Sequence, residues 1–197
     1  MQYNKYKKKM KKVYAFLATG FEEVEALAPV DVLRRGGVDI QTVSIMGQRE
    51  VEGAHGVTVL ADLLLDECPM DDADLLMLPG GMPGAQHLDG CLPLQQALVQ
   101  HHRKGKLIAA ICAAPMVLGH LGLLLGRKAT CYPGFQSHLE GAEYTAELVT
   151  VDGNIITGEG PAASLPYAYT LLATLTDEAT ADKVAEGMMY KHFMAVR

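Results

Sequence analysis

The stretch KLIAAICAAP, residues 106–115, decides the fold of this chain. Residues 107–111 are all apolar, without the alternation of a half-exposed strand, so they predict a strand that is buried on both faces. Cys112 follows at once, and Pro115 suits the first turn of a helix. The stretch therefore predicts a strand that turns directly into a helix, with Cys112 at the elbow.

Two upstream runs have the same character. Residues 12–18 end at Thr19-Gly20 and precede a helical pattern over residues 22–35, and residues 74–78 end at Pro79-Gly80-Gly81. Apolar strands that alternate with helices are typical of a parallel sheet covered on both faces. We therefore predict an α/β fold, a three-layer sandwich around a mostly parallel central sheet.

Other segments predict the rest of the layout. Asp152-Gly153-Asn154 is typical of a hairpin turn between two short strands. Residues 162–175 and 179–189 have the pattern of two closing helices, and residues 113–121 that of a helix after the elbow. Pro29 falls inside the first helical pattern, so we expect it to bend or split that helix.

Length and charge limit the possible partners. A chain of 197 residues with 49% hydrophobic residues suits one domain, which we place at residues 12–197 after a basic tail at residues 1–11. Residues 1–12 contain six Lys and no acid, which leaves 11 basic against 23 acidic residues in the remainder. Such an acidic body would repel nucleic acid, so we expect no nucleic-acid partner.

The chain carries no pattern for export or membrane insertion. The apolar run at residues 13–20 is too short for a secretory signal and leads directly into Glu22. No run approaches the roughly 18 apolar residues of a membrane span. The four cysteines contain no C-x-x-C pair, so we expect free thiols and a cytoplasmic protein.

In open α/β sheets, ligands bind beyond the carboxyl ends of the strands, so the three loops that follow the predicted strands share one rim. Cys112 lies there, and a helix N-terminus would lower the pKa of its thiol. The alternative is a small buried core cysteine. That second interpretation is also the one we favour for the remaining three, Cys68, Cys91 and Cys131.

The other residues on this rim also allow two interpretations. Gly80-Gly81 could be only a tight turn, or it could present backbone N–H groups to an oxyanion together with the N–H of Ala113. Glu25 could be a solvated side chain of the first helix, or it could shuttle protons beside the thiol. His120 and His138 are the nearest downstream histidines, and neither has a spacing typical of a Cys-His pair.

No pattern calls for a metal or a cofactor. Residues 158–163 match the letters of G-x-G-x-x-A, but Pro161 removes a backbone donor that would bind a pyrophosphate, so we discount dinucleotide binding. His101-His102 and the scattered acids do not form a metal-binding pattern such as H-E-x-x-H. We therefore expect neither a metal nor a cofactor.

Taken jointly and in order, the motifs of this chain resemble the DJ-one branch of the ThiJ/PfpI superfamily, over about residues 12–190. The motifs are GFEEVE (residues 20–25), PVDVLRRG (29–36), LPGG (78–81), GAQ (84–86), IAAICAAP (108–115) and Gly160-Pro161. The resemblance implies a flavodoxin-like sandwich. It also implies that Cys112 is the reactive residue and that Glu25 hydrogen-bonds to it, within a pocket that includes Tyr132, Gly160, Pro161 and His55.

This chain departs from the family pattern in three places. PfpI-type peptidases carry a histidine immediately after the cysteine, where this chain has Ala113, so a Cys-His protease lacks its base. Tyr132 stands where the DJ-one branch often has a histidine. His55 stands at the position of an arginine that lines the pocket in some members, which puts recognition of an anion in doubt.

The resemblance implies a cofactor-free, cysteine-dependent enzyme that acts on small α-oxoaldehydes or on glycated proteins, like the glyoxalase and deglycase activities ascribed to the family. An alternative is a redox-sensing or chaperone-like stress protein in which Cys112 is oxidised and Glu25 is protonated. A third hypothesis is an intracellular peptidase or amidase. The resemblance further implies a homodimer that pairs through the first helix, near Asp31, Arg34 and Arg35.

Overall fold

The structure is a computed structural model that describes residues 10–196. The predicted basic tail lies for the most part outside the described residues, because residues 1–9 are not among them. The strands are β1 (Lys12–Leu17), β2 (Asp39–Ser44), β3 (Glu50–Glu52), β4 (Thr58–Leu60), β5 (Leu63–Leu64), β6 (Leu75–Leu78), β7 (Leu107–Ile111), β8 (Lys128–Ala129), β9 (Glu143–Tyr144), β10 (Val149–Asp152) and β11 (Ile155–Gly158). The helices are α1 (Glu23–Arg35), α2 (Gly84–Asp89), α3 (Leu92–Arg103), α4 (Pro115–His120), α5 (Ser164–Leu175), α6 (Glu178–Gly187) and α7 (Tyr190–Ala195).

Seven strands form the central sheet, in the order β10-β11-β7-β6-β1-β2-β5. All neighbouring strands are parallel except β10 and β11, which form the predicted antiparallel hairpin. The side chains of β6 are all buried, and so are those of β1 beyond its first residue, as the absence of polar alternation predicted. The predicted three-layer α/β sandwich with a mostly parallel sheet is confirmed.

The helices cover the sheet in two groups. Helix α1 packs against α5, and α5 packs against α6, while α2 contacts both α3 and α4. One continuous core of apolar side chains runs through these layers, with Phe16, Met77 and Leu172 completely buried. The packing of α1 on α5 matters for the site, because it closes the interior behind the first turn of α1.

The structure changes two of the predicted helices. Helix α1 continues through Pro29, so the predicted split is wrong. Proline removes one helical hydrogen bond, and the burial of Pro29 against the rest of the fold offsets that loss. The helix after the elbow is also shorter than expected, because α4 begins only at Pro115 and ends at His120.

The chain reverses its direction across the sheet between β1 and β6. From β1 the chain moves through α1 to β2 on one side, whereas β6, β7 and β11 follow one another on the other side. A crevice forms beyond the carboxyl ends of the strands at such a switch point. The loops after β1, β6 and β7 meet there, so the fold brings the three predicted loops together.

A helix that crosses a membrane must be both long and apolar, and the helices of residues 10–196 can be compared with that requirement. None of them combines the length and the apolar composition that crossing a bilayer requires.

A matched pair of glycine substitutions tests the packing of α4. A Cβ added at Gly119 would lie 1.9 Å from the backbone oxygen of His138, whereas one added at Gly187, near the end of α6, would meet nothing within 4 Å. We expect Gly119→Ala to lower the free energy of unfolding by about 1–3 kcal/mol through overpacking. Gly187→Ala should raise it by up to about 1 kcal/mol through helix propensity.

Urea denaturation of both variants beside the parent chain measures the two effects. Equal effects of the two substitutions would contradict the close approach of α4 to the segment that carries His138.

Candidate active site

Cys112 occupies a sharp elbow between β7 and α4. Its φ angle is +65°, which lies in the left-handed region that side chains other than glycine rarely adopt. Backbone hydrogen bonds hold it there: the N–H of Cys112 donates to the oxygen of Gly158 at 2.9 Å, and the N–H of Tyr132 donates to the oxygen of Cys112 at 2.9 Å. Strain of this kind persists where the surroundings over-determine the conformation, and it is concentrated at functional sites.

The loop after β6 passes so close to the elbow that it has no room for side chains. A Cβ at Gly80 would lie 2.6 Å from Glu25 Oε2 and 2.7 Å from the Cβ of Cys112. Gly81 has a φ of +88°, and a Cβ there would lie 2.3 Å from the backbone nitrogen of Glu22. The two glycines therefore let the backbone of this loop touch both α1 and the elbow.

Glu25 lies in the first turn of α1 and is fully buried. Its Oε2 accepts a hydrogen bond from the N–H of Gly80 at 3.0 Å. Oε1 is buried without a hydrogen-bond partner among the described residues. Of the two interpretations of Glu25, the burial excludes the solvated helix residue, since the carboxyl group points into the protein beside Cys112.

Burial sets the protonation of this carboxyl group. The pKa of Glu25 is raised to about 7, chiefly by loss of solvation and in addition by the negative charge of Glu22. The thiol of Cys112 and the N–H of Gly80 act in the opposite direction, because they stabilise the carboxylate. Glu25 is therefore able to gain or lose a proton near neutral pH.

The predicted direction for the thiol is wrong. Burial raises the pKa of Cys112, and the negative charge of Glu25 raises it further, while the N–H groups of Gly81 and Ala113 lower it. The expectation of an acidic thiol rested on the dipole of the following helix, but α4 has only six residues. The thiol therefore keeps its proton when Glu25 is ionised, and protonation of Glu25 removes the negative charge that opposes the thiolate.

The N–H groups of the three predicted oxyanion donors have different acceptors in the structure. The N–H groups of Gly81 and Ala113 donate toward the sulfur of Cys112, so they face the place where a reacting group would sit. The N–H of Gly80 is already used by the carboxylate of Glu25. Of the three, only Gly81 and Ala113 are therefore available to an oxyanion.

Among the predicted pocket residues, Tyr132 is the one bonded to the elbow, and Gly160 adjoins Tyr132. Tyr132 is 46% exposed and is linked to Cys112 through its backbone N–H. A Cβ at Gly160 would lie 3.1 Å from the ring of Tyr132, so these two residues are neighbours. Pro161 begins an exposed turn directly after Gly160.

His55 belongs to the turn between β3 and β4 and contacts α1 through Glu23. Its Nδ1 lies 2.8 Å from Glu23 Oε2, and its backbone N–H donates to Glu23 Oε1 at 2.7 Å. The hydrogen bond with Glu23 raises the pKa of the His55 imidazole. A positive charge is therefore favoured at the position where the family pattern suggested an arginine.

Ligand atoms of Glu22, Glu23 and His55 lie within 4.8 Å of one another, a spacing that a metal site would also show. Each carboxylate already has a structural partner. Glu22 Oε2 accepts from the N–H of Glu25 at 2.7 Å and caps α1, and Glu23 holds the turn that carries His55. These bonds account for the cluster without an ion.

The two candidate histidines form a chain of their own. His120 Nδ1 lies 2.9 Å from Asp89 Oδ2, and His120 Nε2 lies 3.1 Å from His138 Nδ1. Within residues 10–196, neither histidine shares a hydrogen bond with Cys112. The structure therefore assigns them to the contact between α2, α4 and the segment that carries His138.

The remaining three cysteines are free thiols, as is Cys112. Burial raises the pKa of Cys68 to about 12 and that of Cys131 to about 11. Cys91 is partly exposed at the start of α3. None of these three adjoins a carboxyl group arranged like Glu25, so Cys112 is distinct among the four.

Sequence reasoning missed the tasks of Glu22 and Glu23 and the role of Gly158 as a backbone acceptor for the elbow. The run Glu22-Glu23-Val24-Glu25 was a possible signal, since three acids in one helical turn repel one another unless the fold uses them separately. The arrangement as a whole presents one thiol, one carboxyl group that titrates near neutrality and two backbone donors. These are the parts that nucleophilic catalysis at a carbonyl carbon requires.

Comparisons with known proteins show the family of the chain. Residues 11–174 match the pattern of the DJ-1/PfpI family. Protein DJ-1 homolog B of Arabidopsis thaliana is 41% identical over 177 residues, which are 89% of this chain and 40% of that protein. The chain thus spans less than half the length of that curated relative.

Two further matches cover most of this chain and most of the protein that it is compared with. A deglycase of Pyrococcus horikoshii is 34% identical over 157 residues, which are 77% of this chain and 91% of that protein. The structure of oxidized DJ-1 from Toxoplasma gondii superposes with a TM-score of 0.87 at 36% identity, covering 91% of this chain and 98% of the other. With its elbow cysteine, its flavodoxin-like sandwich and these matches, the chain belongs to the DJ-1/PfpI family.

Proposed function

We propose that this protein is a cofactor-independent enzyme that acts on α-oxoaldehydes or on their protein adducts. One observation carries the proposal: a carboxyl group whose pKa is raised to about 7 lies buried beside the thiol of Cys112. A general acid and base works best when its pKa is near the working pH. The similarity to a deglycase supports the substrate class.

The first step joins the thiol to the aldehyde. The proton of Cys112 passes to the Glu25 carboxylate, and the sulfur attacks the aldehyde carbon. Glu25 then returns the proton to the oxyanion, which gives a hemithioacetal and leaves Glu25 as a carboxylate. The N–H groups of Gly81 and Ala113 face the sulfur and would stabilise the oxyanion that develops beside it. The site thus supplies the nucleophile, the base and the donors from three adjacent loops.

The second step moves a proton between neighbouring carbons. Glu25 removes the proton from the former aldehyde carbon and, through an enediol, delivers one to the adjacent carbon, which gives a thioester. Water then cleaves the thioester to release a 2-hydroxy acid and the free thiol. The aldehyde carbon is oxidised and its neighbour is reduced, so no external oxidant, reductant or cofactor takes part.

The exposure of the sulfur limits the size of the substrate. Cys112 is only 8% exposed. A small aldehyde, or the slender tip of a glycated side chain, reaches such an atom more easily than a folded polypeptide does. The site therefore favours small carbonyl compounds over peptide bonds.

A redox-sensing or chaperone-like stress role is the second candidate. Oxidation of Cys112 to the sulfinate would place oxygens near the N–H groups of Gly81 and Ala113, and a protonated Glu25 could donate to them. The DJ-1 structure from Toxoplasma gondii is described as oxidized. Peptidase activity has less support, because Ala113 replaces the histidine and His120 is bonded to Asp89 and His138.

We also propose a homodimer that pairs beside the start of α1. Val24, Val57 and Leu60 are all at least half exposed, on elements that Glu23 ties together. The charged residues expected at the pairing face already have partners within the chain. Arg35 bonds to Asp31 and Arg34 bonds to Asp62, each at 2.8 Å.

Cys112→Ser tests the enzyme proposal. We expect turnover of methylglyoxal to fall to the uncatalysed level, because the hydroxyl is a much weaker nucleophile than the thiol. Cys91→Ser, which changes a partly exposed cysteine at the start of α3, is the matched control and should keep the parental rate. Activity that survives in Cys112→Ser, or no activity in the parent chain, would reject the proposal.

Glu25→Gln tests the buried carboxyl group through stability. The folded-state pKa is raised from 4.5 to about 7, so the carboxyl costs stability as pH rises through that range, by about 3 kcal/mol once Glu25 is ionised. We expect Glu25→Gln to be more stable than the parent above pH 7, with a smaller difference near pH 4. Turnover should fall by about 100-fold or more, since an amide cannot transfer the proton.

Urea denaturation at several pH values measures this effect, and Glu186→Gln, an exposed change on α6, is the control. A stability difference that does not vary with pH would show that Glu25 does not titrate as described.

Leu60→Asp tests the homodimer. We expect light scattering to give a dimer mass for the parent chain and a monomer mass for Leu60→Asp, because a charge at the pairing face is costly to bury. Val151→Asp, on the exposed side of β10, should remain a dimer. A monomer mass for the parent at every concentration would refute the pairing.

A further inference from the structure

Tyr167, in the first turn of α5, has a hydroxyl group that the chemistry described above does not use. The residue is completely buried. Its Oη has no hydrogen-bond partner among the described residues. A buried tyrosine hydroxyl normally has a partner, because leaving it without one costs free energy.

Glu25 Oε1 is a buried acceptor that lacks a donor. It is buried and without a hydrogen-bond partner in the described part of the chain, while Oε2 is bonded to the N–H of Gly80. Glu25 belongs to α1 and Tyr167 to α5, and these two helices pack against each other. The carboxyl group and the hydroxyl interact electrostatically. A donor without an acceptor and an acceptor without a donor are therefore both buried, on two helices that pack against each other.

The ring of Tyr167 also adjoins the elbow from behind. A Cβ at Gly158 would lie 3.1 Å from Cδ2 of Tyr167 and 2.8 Å from the side chain of Ile111. The oxygen of Gly158 accepts the N–H of Cys112. Tyr167 thus lies behind the strand end that carries the cysteine, while Glu25 contacts the same elbow from α1.

We propose that Tyr167 is a positioning residue, whose hydroxyl donates a hydrogen bond to Glu25 Oε1 through one buried water and so holds the carboxyl group toward Cys112. Burial, followed by the charge of Glu25, raises the pKa of the Tyr167 hydroxyl. The hydroxyl therefore remains protonated and acts as a donor. Together with Gly80, it would give each oxygen of the carboxyl group one donor.

Every group that faces Glu25 contributes to its titration. Glu22, on the same helix, opposes ionisation, whereas the N–H of Gly80 and the thiol of Cys112 favour it. From α5, the hydroxyl of Tyr167 interacts electrostatically with Glu25. As a neutral donor, its hydroxyl favours the carboxylate, so its removal should raise the pKa of Glu25.

A hydrogen bond from Tyr167 to Glu25 would act on the acid–base group itself, whether or not a substrate is bound. This role of Tyr167 deepens the proposed function, since the residue orients the proposed proton carrier. The experiment reads the carboxyl group directly, so its failure is distinguishable from a failure to turn over an α-oxoaldehyde.

The first measurement is the titration of Glu25 by carbon NMR in protein labelled with ¹³C at glutamate carboxyl groups. Glu25→Gln identifies the resonance by its loss. We expect Tyr167→Phe to move the midpoint of Glu25 upward by about one pH unit. The matched control is Tyr169→Phe on the same helix, whose hydroxyl donates to the sulfur of Met188 at 3.5 Å, and it should leave the midpoint unchanged.

The second measurement is the stability of both tyrosine variants in urea at about pH 8. Removing a hydroxyl that bonds to Glu25 leaves Oε1 of the carboxylate without its donor, so Tyr167→Phe should be less stable than the parent chain. Removing a hydroxyl that has no partner would instead make the protein more stable. An unshifted midpoint, the same shift in Tyr169→Phe, or a more stable Tyr167→Phe would each overturn the proposal.

Discussion

The hydrogen bond from the N–H of Gly80 to the carboxylate of Glu25 is the contact on which the rest of the site depends. It requires the loop after β6 to approach α1 without any side chain between them. That approach removes the carboxyl group from water, and burial is the main reason why its pKa is raised to about 7. The same loop then directs the N–H of Gly81 toward the sulfur of Cys112. One close contact between backbone and side chain therefore fixes both the proton carrier and a donor for the nucleophile.

Much of the fold could be predicted because its signals are local. The apolar runs of β1, β6 and β7 have no polar alternation, and the glycines and prolines that follow them mark the strand ends. The position of Cys112 at the elbow follows from the same pattern, since Pro115 cannot continue a strand in the middle of a sheet. The continuation of α1 through Pro29 could not be predicted, because packing against α5 compensates for the lost hydrogen bond.

The electrostatics of the site could not be read from the sequence. A helix after the cysteine suggested an acidic thiol, but the direction of the shift is decided by burial and by the charge of Glu25, a residue 87 positions away. Likewise, the sequence could not distinguish the three acids at the start of α1. The fold uses Glu22 to cap the helix, Glu23 to hold the turn of His55 and Glu25 to face the thiol.

The elbow at Cys112 joins segments that lie far apart along the chain. Glu25 and Gly80 are separated by 55 residues, and Gly158, which accepts the N–H of the elbow, lies still further on. Contacts between distant segments form only after the loops between them have closed, and closing those loops costs entropy. A chain that is still being synthesised, or one that has lost β11, therefore presents Cys112 as an ordinary thiol in water. The pairing of this cysteine with the Glu25 carboxyl group is in that sense a signature of completed folding.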